Sequence, residues 1–108
     1  MLTIALTEAW DPGSADPGQT YDRCAIVECY INPIMGYIKL SHQYGYFVGE
    51  QFFPGPAVTA KQAQISGEDY AAVALAASGD AGEEYFQEVL RRILQWLIDQ
   101  GHVQGTIS

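Results

Sequence analysis

Three side chains in this chain could share proton-transfer chemistry: His42, Glu50 and Glu28. An imidazole held by a carboxylate is the usual general base, and it needs hydrogen-bond reach to act. If the segments 37–44 and 46–53 pair as strands across Gly45, His42 and Glu50 approach each other. Glu28 lies on a neighbouring apolar strand, where a carboxylate on a half-buried face needs a partner. The plainer expectation for His42 and Glu50 is a surface pair without catalytic use.

Other reactive types lead less far. Cys24 and Cys29 lie five residues apart in one expected strand. An odd separation places them on opposite faces, about 16 Å apart at ~3.3 Å per residue, too far for a disulfide. They are expected to be free thiols, as suits a reducing cytoplasm. Glu84 and Glu88 stand at helical spacing and could hold a cation, but the acidic first turn of a helix already suits its dipole. Two histidines and no closely spaced cysteine pair argue against a structural metal site, and no cofactor is expected. No phosphate-binding loop, dinucleotide fingerprint, H-E-x-x-H or G-x-S-x-G motif is present. Asp11 and Asp16 lack the spacing of a calcium loop.

The elements that must position these groups read in order. Leu2, Ile4 and Leu6 alternate with Thr3, Ala5 and Thr7, a strand with threonine on its wet side. Two D-P-G triplets then make residues 11–20 a long loop. Tyr21–Ile31 is apolar on both faces, the mark of a central strand. Ala25, Val27, Cys29 and Ile31 share one face by alternation; Cys24, Ile26, Glu28 and Tyr30 share the other. Asn32–Gly36 turns the chain. Strands over 37–44 and 46–53 follow, with Gly45 a turn or bulge and Pro54-Gly55-Pro56 a firm stop. Val58–Ile65 reads as an edge strand. Ser66 caps a short helix over 68–77, with Tyr70, Val73, Ala74 and Ala77 on one face.

The segment from Asp80 to Gly101 organises the rest. Asp80 and Glu83 have the spacing of a capping box, and Gly101 is the expected left-handed stop. Phe86, Leu90, Ile93 and Leu97 form the centre of an apolar stripe; Tyr85, Val89 and Trp96 widen one flank, Leu94 and Ile98 the other. The arc exceeds the roughly 100° of a one-sided surface helix. Either two elements of the same fold cover it, or one flank meets another subunit. A short strand over 102–107 ends the chain.

Strands, then two helices, then one strand predict a single α+β domain over residues 1–108. A curved antiparallel sheet of about five strands, curled toward a half barrel, carries a C-terminal αα-hairpin and a short final strand.

Composition limits the partners. Five basic residues face thirteen acidic ones, a net charge of −8. Residues 1–60 and 61–108 each carry −4, so the acid is evenly spread. No basic patch exists to bind nucleic acid, and no apolar run approaches the ~18 residues of a membrane span. Aromatic residues crowd between Tyr37 and Phe53, and alternation sends about half of them outward. The expected function is a non-enzymatic assembly or interaction subunit, homo-oligomeric or bound to another protein. Its candidate interface is Tyr37, Tyr46 and Phe47 with the helix flank Tyr85, Val89 and Trp96. The general type occurs among accessory proteins of larger complexes, phage-type assemblies included, an analogy of kind only. The alternative is a small-ligand-binding domain or modest acid–base enzyme with His42 and Glu50 in a half-barrel mouth.

Overall fold

In a computed structural model the described residues are 2–10, 20–75 and 85–108. The D-P-G loop, the Asp80–Glu83 capping box, Glu84 and Ala77 lie outside them. The protein is α+β. Six strands form one open, antiparallel sheet: β1 (Ile4–Trp10), β2 (Tyr21–Asn32), β3 (Tyr37–Val48), β4 (Gln51–Pro54), β5 (Lys61–Ser66) and β6 (Gly105–Ile107). The order is β4-β3-β2-β1-β6, with β5 also on β3. Helix α1 (Gly67–Tyr70) runs into a π turn over Ala71–Leu75, and α2 (Tyr85–Asp99) follows. Among the described residues no helix is long and apolar enough to cross a membrane.

Strand β3 is the spine. It runs unbroken through Gly45, so the hairpin expected there lies instead at Gly49–Glu50, between β3 and β4. Gly45 serves close approach rather than turning. A Cβ there would lie 2.4 Å from Phe52 Cζ and from the Phe53 carbonyl oxygen. One edge of β3 has two partners in succession: β5 along Tyr37–His42 and β4 along Gly45–Val48. Between them residues 55–60 arch outward, pinned where Gln43 Nε2 donates to the Gly55 carbonyl at 2.7 Å.

Strand β2 departs from simple alternation. Its pairing with β3 slips between Ile26 and Glu28, a bulge at Val27. One extra residue reverses the facing of everything beyond it. Cys29 therefore pairs with Leu40 and shares the core face with Cys24, against the expectation of opposite faces. Glu28 and Tyr30 move to the other face with Ser41 and Lys39, and Glu28 is exposed rather than half-buried.

The helices cover one face of the sheet. Ile4, Cys24, Ile38, Leu40 and Ile65 from the strands meet Val89, Ile93, Leu94 and Leu97 from α2, and Tyr70, Val73 and Ala74 from the shorter helical segment. Helix α2 ends in a Schellman motif: His102 N–H donates to the Leu97 carbonyl at 2.9 Å and Gly101 N–H to that of Ile98 at 3.1 Å. Gly101 has φ 80°, which glycine adopts freely. The apolar stripe is centred on Val89, Ile93 and Leu97, while Phe86, expected at its centre, is exposed.

On the other face, Thr3 is buried rather than wet, with Arg23 Nη1 donating to its Oγ1 at 3.5 Å. The two ends of the chain meet beside it. Thr3 N–H donates to the Ser108 carbonyl at 3.1 Å, and Ser108 N–H returns the bond at 2.9 Å.

Candidate functional site

The proposed acid–base set is not assembled. His42 points into the core between Ile26 and Lys61, its partners on β2 and β5. Glu50 occupies the β3–β4 turn, two residues past Val48. Along an extended strand, His42 and Val48 lie roughly 20 Å apart. Glu28 stands on the opposite face of the sheet. No carboxylate of this set reaches His42.

What His42 does touch was not legible in the sequence. Its Nδ1 lies 3.8 Å from Cys24 Sγ, and its ring centroid lies 6.4 Å from that of His102. The His102 ring stacks on Trp96 at 5.3 Å, and Trp96 Nε1 donates to Asp69 Oδ2 at 3.0 Å. A Cys–His contact suggests a thiolate nucleophile, but the environment opposes it. Burial pushes the Cys24 thiol up to about 12. Burial also lowers His42, with His102 and Lys61 adding repulsion. Each group is held neutral, and a neutral buried thiol is inert. Among the described residues no three His, Cys, Asp or Glu side chains gather as a metal site. Glu88, considered as half of a cation pair, bonds Arg92 at 3.3 Å.

The proposed aromatic interface is divided. Tyr37 and Tyr46 are nine residues apart on an unbroken strand, so they face opposite sides. Tyr46 joins a chain of rings with Tyr21 at 5.7 Å and Phe53 at 5.7 Å, and Trp10 links Tyr21 to Tyr44. Phe47 packs edge-on to Phe52 under the Arg23 guanidinium. Tyr37, far from both, lies 6.1 Å from Tyr30 with Lys39 Nζ over its ring.

The helix flank is used within the chain. Val89 is 0% exposed. Tyr85 OH donates to the Ala74 carbonyl at 2.8 Å, and Arg92 Nη1 to that of Ala72 at 3.1 Å. With Trp96 on Asp69, this side of α2 is the seam with the shorter helix. The chain itself therefore covers the arc from two directions at Val89, Ile93, Leu94 and Leu97, while Tyr85 and Phe86 at its start are each 51% exposed.

Among the described residues, exposed apolar side chains also occur at Val48, Val58, Tyr85 and Phe86, but two other features are adjacent to each other. At the β2–β3 turn, Ile34 is 93% and Met35 72% exposed. The turn that carries them is braced: Asn32 Oδ1 accepts from Ile34 N–H at 3.1 Å and Met35 N–H at 2.9 Å, and the Asn32 carbonyl accepts from Gly36 N–H. Next to it, the helix-free face of β2, β3 and β5 forms a shallow groove of about 590 Å³. Two cross-strand rows line it: Glu28, Ser41 and Gln62, then Tyr30, Lys39 and Gln64. The signal for the tip was an apolar pair inside an Asn-Pro…Gly turn. The groove had no signal, because the Val27 bulge decides which residues face it.

Comparison with known protein families, with curated proteins and with solved structures found no match to this chain.

Proposed function

We propose that this protein is a non-catalytic assembly subunit that works by contact with protein, first of all with copies of itself. The observation supporting it is the braced tip: two adjacent apolar side chains held in water by a turn whose backbone is already satisfied. Exposed apolar groups scattered singly need no explanation, but a contiguous set beside a bare sheet face fits a contact site. The buried setting of His42 and Cys24, which disfavours the charged form of each, supports the non-catalytic part of the reading. The charge balance of −8 fits a protein partner better than nucleic acid. Two cysteines that share no disulfide fit a reducing cytoplasmic setting.

Size-exclusion chromatography with light scattering, run across a concentration series, tests this. A mass that climbs toward twice that of the chain is expected. A single chain mass at every concentration up to millimolar would remove self-association from the reading.

A second reading is a small-ligand binder, with the groove of Glu28, Tyr30, Lys39 and Gln64 replacing the mouth first expected near His42. Its volume falls in the range of ligand sites, but a ligand site typically encloses most of its ligand. A groove floored by one sheet face covers one side, so the contact reading fits better.

A further inference from the structure

We propose that the bare face of β2, β3 and β5 is where a second copy of the chain docks, sheet against sheet, with Glu28 of each copy opposite Lys39 of the other. This rests on the self-association reading and adds the surface and the register.

The helix-free face is not uniform. Toward β1 and β4 the chain covers it with its own side chains. Arg23 reaches across to Thr3 and lies over Phe47 at 5.7 Å, and Gln43 bonds the arch at Gly55. Thr3 and Ala25 beneath them are fully buried. Toward β5 nothing among the described residues lies over the face. Tyr30 is 57% and Val27 40% exposed there. Glu28, Ser41, Gln62 and Gln64 have no side-chain partner among the described residues. Among the described residues Lys39 meets the Tyr37 ring alone, 5.5 Å from its centroid.

The charge pattern selects the occupant. Glu28 and Lys39 are diagonal neighbours on the same face, in adjacent cross-strand rows. They form no ion pair with each other. A two-fold axis between two such faces, crossing that diagonal at right angles, places each carboxylate over an ammonium of the other copy. The contact is made twice, as an isologous interface requires. Sheets packed face to face sit about 10 Å apart, which leaves room for Tyr30 and the two glutamines to interleave. An unrelated acidic or basic partner would satisfy one charge and oppose the other.

The area is small. Three strands over six residues give a flat footprint of about 290 Å² per copy. Two such footprints total about 600 Å², short of the roughly 1,000 Å² of a specific interface unless side-chain relief and the exposed Ile34–Met35 tip add to it. The dimer is therefore weak and concentration-dependent.

Sedimentation velocity at about 0.15 M salt, where the net charge is screened, on the full chain, Glu28→Lys, Lys39→Glu and the double exchange tests this. Each single exchange sets like charges together and is expected to raise the dissociation constant about tenfold or more, while the double returns it to within about threefold of the parent. All the altered side chains are exposed, so unchanged melting at high dilution verifies folding. If the parent dimerises and the single exchanges leave it unaffected, this face is the wrong one and self-association stands. Weakened singles without recovery in the double overturn the register. A parent that stays monomeric, with the groove taking a small molecule or another protein, overturns both proposals.

Discussion

His42 is the residue whose surroundings have a measurable cost. Its ring is buried, touches the Cys24 thiol, and faces His102 beyond the end of α2 and Lys61 on β5. No acid faces it. Its pKa is lowered from 6.5 chiefly by burial. Above pH 6.5 the imidazole is neutral folded and unfolded, and its contribution is complete. As pH falls below 6.5 the unfolded chain takes the proton first, so stability drops until the depressed folded value is passed. Urea midpoints measured from pH 7.5 to 5 should decline over that window, well above where carboxylates titrate. In His42→Leu the decline should flatten. A parent profile that is level from 7 to 5.5 would contradict this placement of His42.

The elements show what periodicity can and cannot reveal. Alternation and helical periodicity located five strands and both helices, and Gly101 marked the stop, because those signals are local; Ser66 stands at the start of α1 but its side chain makes no cap bond. Three features depended on neighbours distant in sequence. The Val27 bulge has no glycine to mark it. Gly45 reads as a turn until Phe52 and Phe53 are seen pressing on it. The stripe of α2 was visible, but its rotation by part of a turn, from Phe86 to Val89, is set by the sheet and the shorter helix. That rotation yields a quantitative expectation. Ile93→Ala, at the buried centre, should lose about 2–5 kcal/mol in denaturant unfolding. Phe86→Ala, on the exposed edge, should stay within about 0.5 kcal/mol. Equal losses at the two sites would place the helix differently.

For the molecule as a whole, the first concern is its charge. Two copies at −8 about 25 Å apart repel by about 10 kcal/mol in unscreened water. Two exposed Glu–Lys contacts return at most about 2 kcal/mol. Repulsion therefore dominates at low salt, where the screening length is about 30 Å, and fades near 0.15 M, where it is about 8 Å. Self-association should tighten between 10 and 150 mM salt. Weakening over that range would mean that the local charge contacts outweigh the net charge. The shape is consistent with one helix-covered face and one bare one: the extents are 46 × 27 × 20 Å, with a radius of gyration of 14.6 Å against about 13 Å for a compact chain of this length.

The reciprocal bonds between Thr3 and Ser108 have a practical corollary. A reporter fused before the first strand or after the last leaves from the β1–β6 edge of the sheet, on the side of β2 away from β3 and β5. A short bridge could join those positions and new ends be opened at Gly49–Glu50, reordering the connectivity while keeping every pairing of the barrel-less sheet. Such a rewired chain would carry its labels away from the surface where copies are proposed to meet.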